Sequence, residues 1–390
     1  MQNNIINKLL NLEGVLIKNI KNFKDFTEIH IYTPVEEQVC PCCNNKTSYI
    51  HDYRYQRIKD MPLYQKPCFL VLHKRRYICK NCGKKFYEHF SFLPKYYRTT
   101  NRLTAFVLDS LKDVVSMKHI AEHANLSTTT VSKRFDLLNY KPKNLPSVLS
   151  IDEFKGNTDN KKYQCILVDA EHHNVLDILP NRDMDTLTQY FKKLPNRDKV
   201  RIFVMDMWKP YKTIAKTYFK NALIVIDKYH FIRQNLWAFE GVRKREQKRL
   251  GKHATKIFKN SRHILLSSPS DLEDQDKMQL NALLSYSEDI RQGYYLKNLF
   301  FEFADAKSYK EAKPLLSKFI LIAQNSHIEE YEKLAKTLIN WSEEILNSFR
   351  VPYTNGPTEG TNNKIKVIKR NAYGLRKFSR FRNRILHCCS

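Results

Sequence analysis

Apolar positions between residues 147 and 226 come in short runs separated by amphipathic stretches. Strand-like runs at Val148–Phe154, Tyr163–Val168 and Val175–Leu179 precede a helical period near Asp183–Lys193. A run at Val200–Met205, a helical period at Tyr211–Tyr218 and a run at Ala222–Ile226 follow. That order predicts a hairpin-connected strand triplet, extended by crossover units into one mixed sheet. From Tyr229 to about Ser348 the period is helical throughout, with basic stretches such as Arg243–Arg249, and predicts an all-helical insertion.

Upstream the pattern is less regular. Met1–Tyr32 reads as a helix, with Leu9, Leu10, Leu12 and Val15 apolar, followed by a strand that alternates at Ile29 and Ile31. Cys40–Phe90 is rich in cysteine, aromatic and basic residues, with short strand-like pieces such as Phe69–Leu72. Arg102–Tyr140 returns to a helical period, and Lys141–Pro146, with two prolines, reads as a linker.

Composition narrows the partner. A chain of 390 residues has room for two or three domains, and 67 Lys plus Arg against 40 Asp plus Glu leave a formal charge of +27. Such a surplus points to a polyanion, nucleic acid first. The cations recur from Lys8 to Arg384 among 22 Phe and 22 Tyr, as on folded basic surfaces rather than in a disordered tail. No stretch approaches the roughly 18 apolar residues that cross a bilayer, and Met1–Ile20 has no secretory pattern. The expected location is cytoplasmic and nucleoid-associated, where thiols stay reduced, so the nine cysteines are tested as metal ligands rather than as a disulfide framework.

Cys40 and Cys43 form one CxxC pair and Cys79 and Cys82 a second, each suited to one edge of a tetrahedral zinc site. Gly83 suits the tight turn after the second pair, while Cys42 and Cys68 are left over. Buried thiols or a redox pair are the alternative. A four-thiolate site is structural, and the surrounding His73, Lys74, Arg75, Arg76, Lys80, Lys84 and Lys85, with Tyr77 and Phe86, suggest a basic, aromatic surface for phosphates.

Met117–Tyr140 fits a helix-turn-helix. Ile120, Ala121 and Ala124 face inward on the first helix, Leu126 closes the turn, Ser127 caps the second helix, and Val131, Phe135 and Leu138 recur along it. Thr128, Thr129, Thr130, Lys133 and Arg134 are then the groove-facing candidates. A helical hairpin that merely packs would show the same apolar pattern.

Phosphodiester transfer needs carboxylates from separate elements to hold two hard cations. Asp152 sits on the first strand of the expected sheet, Asp206 follows the apolar run Ile202–Met205, and Glu359 falls in the first turn of a helix begun near Pro357. Asn363, Lys366 and Arg370 continue the Glu359 face and suit a helix laid along a DNA backbone. Helix capping and the helix dipole offer structural explanations for the same acids. Asp227 is either a further ligand or a cap, His230 either orients a carboxylate or belongs to the core, and Asp169 reads as part of a hairpin turn.

The expected organisation is a helix-strand lead-in (1–36), a zinc-binding module (37–95) and a helix-turn-helix with linker (96–146). An α/β ribonuclease H-like catalytic domain begins at 147–240, is interrupted by a helical insertion at 241–350 and is completed at 351–390. These residues resemble the ISL-three insertion-sequence family of bacterial DDE transposases along essentially the whole chain. The likeness rests on Cys40-Pro-Cys-Cys43, Lys74-Arg-Arg-Tyr-Ile-Cys79-Lys-Asn-Cys82-Gly, Ser150-Ile-Asp152-Glu, Met205-Asp206-Met and Asp227-Lys-Tyr-His230. The most specific block is Thr354-Asn-Gly-Pro-Thr-Glu359-Gly-Thr-Asn-Asn-Lys-Ile-Lys, followed by Tyr373-Gly-Leu. The chain departs from the family in placing Cys42 inside the first knuckle and in its Cys388-Cys389-Ser390 ending. The resemblance implies structural zinc, a triad of Asp152, Asp206 and Glu359 with magnesium or manganese, and duplex DNA with terminal inverted repeats as substrate. A homodimer holding two ends follows from that task; a non-catalytic DNA-binding regulator and a nuclease that cuts without joining are the rival readings.

Overall fold

The computed structural model describes residues 14–251, 258, 261–268, 271–372 and 375–389. The chain divides into two compact units, one of residues 14–140 with 366–389 and one of residues 141–365.

The first unit opens with β1 (Leu16–Asn22) and β2 (Thr27–Tyr32), then β3 (Gln38–Val39), β4 (Lys46–Thr47), β5 (Ile50–Leu63), β6 (Lys66–Ile78) and β7 (Lys85–Tyr87). β2 pairs antiparallel with β1 and parallel with β6, while β5 and β6 form a long hairpin and β7 adds to β6. The helix expected to open Met1–Tyr32, with Leu9, Leu10 and Leu12, falls on residues outside the described ones, and the chain is in a strand from Leu16. The hairpin is far longer than the short pieces expected. Its outer half exposes Tyr53, Arg54 and Tyr55 in succession, so alternation is lost there, while Ile58, Leu70 and Leu72 bury the inner half. Its turn takes left-handed φ at Tyr64 (48°) and Gln65 (62°) without the Asn or Gly that normally marks such a turn. Three helices follow, α1 (Asn101–Ser110), α2 (Met117–His123) and α3 (Thr128–Phe135), N-capped by Thr100, Ser116 and Ser127. Leu103, Val107, Ile120, Ala121, Ala124, Val131 and Phe135 form their shared core.

In the second unit β8 (Val148–Phe154), β9 (Gln164–Asp169) and β10 (Asn174–Leu179) run antiparallel. After α4 (Met184–Lys193), β11 (Ile202–Met205) joins β8 in parallel, and after α5 (Lys209–Tyr218), β12 (Leu223–Ile226) joins β11 in parallel. The sheet order is therefore β10-β9-β8-β11-β12; along the chain the elements follow the order that the pattern of runs predicted. The helical stretch is α6 (Lys228–Arg249), α7 (Ser261–Leu266), α8 (Asp274–Ser285), α9 (Glu288–Ala304), α10 (Tyr309–Gln324) and α11 (Glu329–Asn347). One sheet face, with Leu149, Ile151, Phe203 and Met205, shares a core with Phe231, Phe300, Phe319 and Tyr331 of those helices. The buried Glu246 of α6 accepts from Arg249 and from Ser287, tying α6 to the start of α9. The helix α12 (Gly356–Asn371) returns to the sheet.

The C-terminal region does not all complete the sheet, as the expected boundary at 351–390 had it. The last helix, α13 (Phe378–Cys388), packs into the first unit. Buried Arg384 donates to the carbonyls of Leu111, Asp113 and Val115, which the turn between α1 and α2 leaves without helical partners. His387 hydrogen-bonds the Leu108 carbonyl and Tyr140, and Asn383 donates to the Leu138 carbonyl. Among the described residues no helix is long and apolar enough to cross a membrane.

Candidate active site and metal centres

Two near-identical turns make the first centre. After β3, Cys40 N–H donates to Asn45 O (2.9 Å) and Asn44 N–H to Cys40 O (3.0 Å); after β6, Cys79 N–H donates to Lys84 O (2.9 Å) and Gly83 N–H to Cys79 O (2.8 Å). Asn44 (φ 57°) and Gly83 (φ 70°) occupy the left-handed position of each turn. The β5–β6 hairpin carries the second turn back to the first. Sγ of Cys40 then lies 3.6 Å from Sγ of Cys82, and that of Cys43 lies 3.5 Å from that of Cys79. Zn–S bonds of about 2.3 Å at tetrahedral angles require sulfur separations of about 3.8 Å, so the four thiolates fit zinc. The backbone N–H of Asn45, then the Asn81 side chain, hold Cys43 down to about 6, favouring the thiolate that zinc needs. The leftover thiols are accounted for: Cys42 is exposed, and Cys68 is buried in the sheet core, which pushes it up to about 12.

Several expected DNA contacts on this unit are structural. Arg75 is buried; its guanidinium bonds Glu88 (2.9 Å) and the carbonyls of Thr33 (2.6 Å) and Pro34 (3.1 Å). Strand alternation turns Arg75 and Tyr77 inward, and Tyr77 is fully buried. Arg76 faces outward but pairs with Asp52. Exposed aromatics near the knuckles include instead Tyr49, Tyr53, Tyr55 and Tyr87, with Lys80 over Tyr49 (3.3 Å) and Lys74 over Tyr87 (4.2 Å). On α3, Ser127 caps as expected, accepting from Thr130 N–H at 3.1 Å. Thr128, Thr129 and Lys133 are exposed and Thr130 half-buried, but Arg134 stacks on Tyr97 (4.0 Å) and donates to Thr99 (2.8 Å).

The second centre follows from strand alternation. Leu149, Ile151, Phe203, Met205 and Ile226 face the main core, so Ser150, Asp152, Asp206 and Asp227 share the opposite face of three neighbouring strands. That face is covered at one end by Val351 and Tyr353, packed against Val148, Val204 and Val225. The start of α12 is fastened here. Ser150 Oγ bonds Asn355 Oδ1 (2.6 Å) and Thr358 Oγ1 (3.3 Å), Asp227 Oδ1 accepts from Asn355 N–H (3.2 Å), and Asn362 Nδ2 donates to Asp152 Oδ2 (2.7 Å). Asn355, Thr358 and Asn362 are buried. They are the site residues that sequence reading missed; Asn363, expected on the DNA-facing side of the helix, is exposed.

Ligand atoms of Asp152, Asp206 and His230 lie within 4.8 Å of one another. His230, in the first turn of α6, places Nε2 2.5 Å from Asp206 Oδ1. Arg233, which can only donate, reaches His230 Nδ1 at 3.1 Å, so the ring proton sits on Nε2 and faces Asp206. That approach is off the line of a good hydrogen bond: Asp206 Oδ1 is buried without an aligned donor, and Asn362 Oδ1 is buried without one as well. Burial, then the neighbouring Asp206 charge, push Asp152 up to about 7. Two carboxylates crowded at this spacing, with unanswered buried oxygens, fit a hard divalent cation. Asp227 makes no side-chain cap for α6, and burial raises its carboxyl above the ordinary range. Asp169 bonds the backbone N–H groups of Glu171 (3.0 Å) and His172 (3.2 Å), a hairpin turn as expected. Glu359 lies in the first turn of α12 but is exposed and outside the converged group; Lys366 and Arg370 are exposed farther along the helix.

Three family models match the chain in consecutive stretches. One described as a transposase covers residues 149–385, one described as the zinc-finger of transposase IS204/IS1001/IS1096/IS1165 covers 36–82, and one described as the helix-turn-helix domain of transposase family ISL3 covers 88–139. The transposase for insertion sequence element IS1001 of Bordetella parapertussis is 26% identical over 359 residues, 89% of this chain and 88% of that protein. A Lactococcus lactis protein named as an ATP-dependent protease is 36% identical over 107 residues, 27% of this chain and 33% of that one.

Proposed function

Because the chain belongs to the ISL3 family of transposases, we propose that it binds the terminal inverted repeats of a mobile element and cuts and joins DNA strands at Asp152, Asp206 and Glu359. The observation that carries this reading is the convergence of Asp152, Asp206 and His230 on one sheet face, with the helix bearing Glu359 fastened to it through Asn355, Thr358 and Asn362. The strand order, with an antiparallel triplet followed by two parallel strands, supports a ribonuclease H-like catalytic domain interrupted by the helical insertion.

In this mechanism Asp152 and Asp206 would hold divalent cations, magnesium or manganese, with Glu359 in the first turn of α12 as the third carboxylate. The bound ions supply polarisation of the scissile phosphate and stabilisation of the leaving oxygen. Asn362 fixes the Asp152 carboxylate, and Arg233 orients the His230 ring toward Asp206. Water attacks the scissile phosphorus and displaces a 3′ hydroxyl, and that hydroxyl then attacks a phosphodiester of target DNA, displacing the target strand's own 3′ oxygen. No covalent link between protein and DNA is required. The zinc ribbon and α3 position the element ends, with Thr128, Thr129 and Lys133 toward the groove and Lys366 and Arg370 toward the backbone. Two ends held at once call for a homodimer on DNA in the bacterial cytoplasm.

Metal-dependent cleavage and strand transfer on DNA carrying the element's own ends tests this. Activity with magnesium that is lost in Asp206→Ala and Glu359→Ala, while DNA binding survives, is the expected result. Binding without cleavage by the wild type supports the regulator reading, and cleavage without joining supports a nuclease.

A further inference from the structure

Arginines sandwiched between aromatic rings adjoin the carboxylate centre at two places. On α6, the Arg233 guanidinium lies 5.2 Å from the Tyr229 ring centroid and 4.7 Å from that of Trp237, and donates to the His230 imidazole that faces Asp206. From the sheet, Arg182 lies 4.5 Å from the rings of both Tyr163 and Trp208 and pairs with Glu153. Glu153 follows Asp152, and Trp208 stands two residues past Asp206. These aromatic rings are not core residues: Tyr229 is 54% exposed, Trp237 55% and Trp208 39%.

Structural stability does not call for this arrangement. An exposed tryptophan costs solvation, and the two sandwiches lie beside the only Asp–Asp–His group found among the described residues. The four-residue steps from Tyr229 to Arg233 to Trp237 keep all three side chains on one face of α6, running away from His230. An aromatic face beside a guanidinium is a surface on which nucleobases stack while the cation meets phosphate. Bases offer such faces only when unpaired.

We propose that the Tyr229–Arg233–Trp237 face, together with the Tyr163–Arg182–Trp208 sandwich, grips unpaired nucleotides next to the scissile phosphate. This rests on the transposase reading of the same site. Continuity with the carboxylates and the +27 charge of the chain favour a DNA strand over a protein as the occupant.

The test uses the full-length, zinc-loaded protein and two mixed-sequence DNA probes, a fully paired duplex and a forked duplex with the fluorescent base aminopurine in its unpaired arm. The wild type should quench the aminopurine and prefer the fork. Trp237→Ala should abolish the quench and weaken fork binding about five- to a hundredfold, leaving duplex affinity unchanged; Trp237→Phe should restore much of both. Trp208→Ala supplies an independent variant should either fail to fold, with zinc content and thermal midpoint as the check. Unchanged quench and fork affinity in both folded alanine variants overturns the proposal. So does loss of self-association without change in fork binding, which assigns the face to a second copy. Cleavage of DNA carrying the element's own ends, assayed alongside in the wild type and in Asp206→Ala, separates the two readings: absence of cleavage in the wild type sinks the catalytic reading, whereas the fluorescence alone decides this one.

Discussion

Asn362 donates its side-chain amide to Asp152 Oδ2 at 2.7 Å, joining α12 to β8 across 210 residues of sequence, while its own carbonyl oxygen lies buried without a donor. A group that fixes a metal-binding carboxylate tunes affinity without touching the ion. Asn362→Ala should therefore weaken manganese binding about 10- to 100-fold, measured calorimetrically on the DNA-free protein, with the thermal midpoint little changed. Unaltered affinity would show that the bond merely packs the helix.

Asp152 gives the site a pH signature. Its carboxyl is pushed up to about 7 from 3.8, so between those values the folded chain holds a proton that the unfolded chain has released. The stabilising contribution of that proton is fully present below 3.8 and is lost as pH rises through about 7. Zinc-loaded protein free of other divalent ions should thus lose stability over that window. Manganese affinity should climb across the same window, as binding displaces the proton. Asp152→Asn should flatten both profiles in denaturant titrations and calorimetry; a wild-type profile indistinguishable from the variant's would refute the assignment.

Zinc removal should unfold the ribbon. The two knuckles are closed by one hydrogen-bonded turn each and meet at the four sulfurs, and structural zinc contributes on the order of 10 kcal/mol in small domains. Metal analysis should return one zinc per chain, and Cys79→Ser or chelation should abolish a separate cooperative transition together with specific DNA binding. Retention of that transition in zinc-free protein would contradict a structural role.

Arg75 and Lys133 separate folding from recognition. Arg75→Ala leaves Glu88 buried and uncompensated and should cost about 3–5 kcal/mol, seen as a lower denaturant midpoint. Lys133→Ala should leave stability intact but reduce the salt dependence of DNA binding by about one ion. The reverse pattern would return Arg75 to the DNA surface.

How much of this was legible follows from where water meets the chain. The mixed sheet announced itself because β8 to β12 are short, largely buried apolar runs, and they located Asp152 within the first strand and Asp206 just past the fourth. The ribbon hairpin did not, since its outer half is solvated and its Tyr64-Gln65 turn carries no turn signature. Arg75 stood in a basic run and its buried partner, Glu88, lies on no motif. Asn362 and Asn363 sit three and four residues past Glu359, so helical spacing alone cannot choose between them. His230 was open between an orienting and a core role until its place beside Asp206 was seen, and Trp237 and Arg233 had no pattern beyond an ordinary helix face.

The docking of α13 onto α1–α3 has a temporal consequence. Arg384 and His387 satisfy carbonyls at Leu108, Leu111, Asp113 and Val115, and those bonds form only once residues 378–388 have been synthesised. Translation therefore passes through Asp152, Asp206 and Glu359 before α1–α3 gain these partners, and until then the carbonyls between α1 and α2 are left to water.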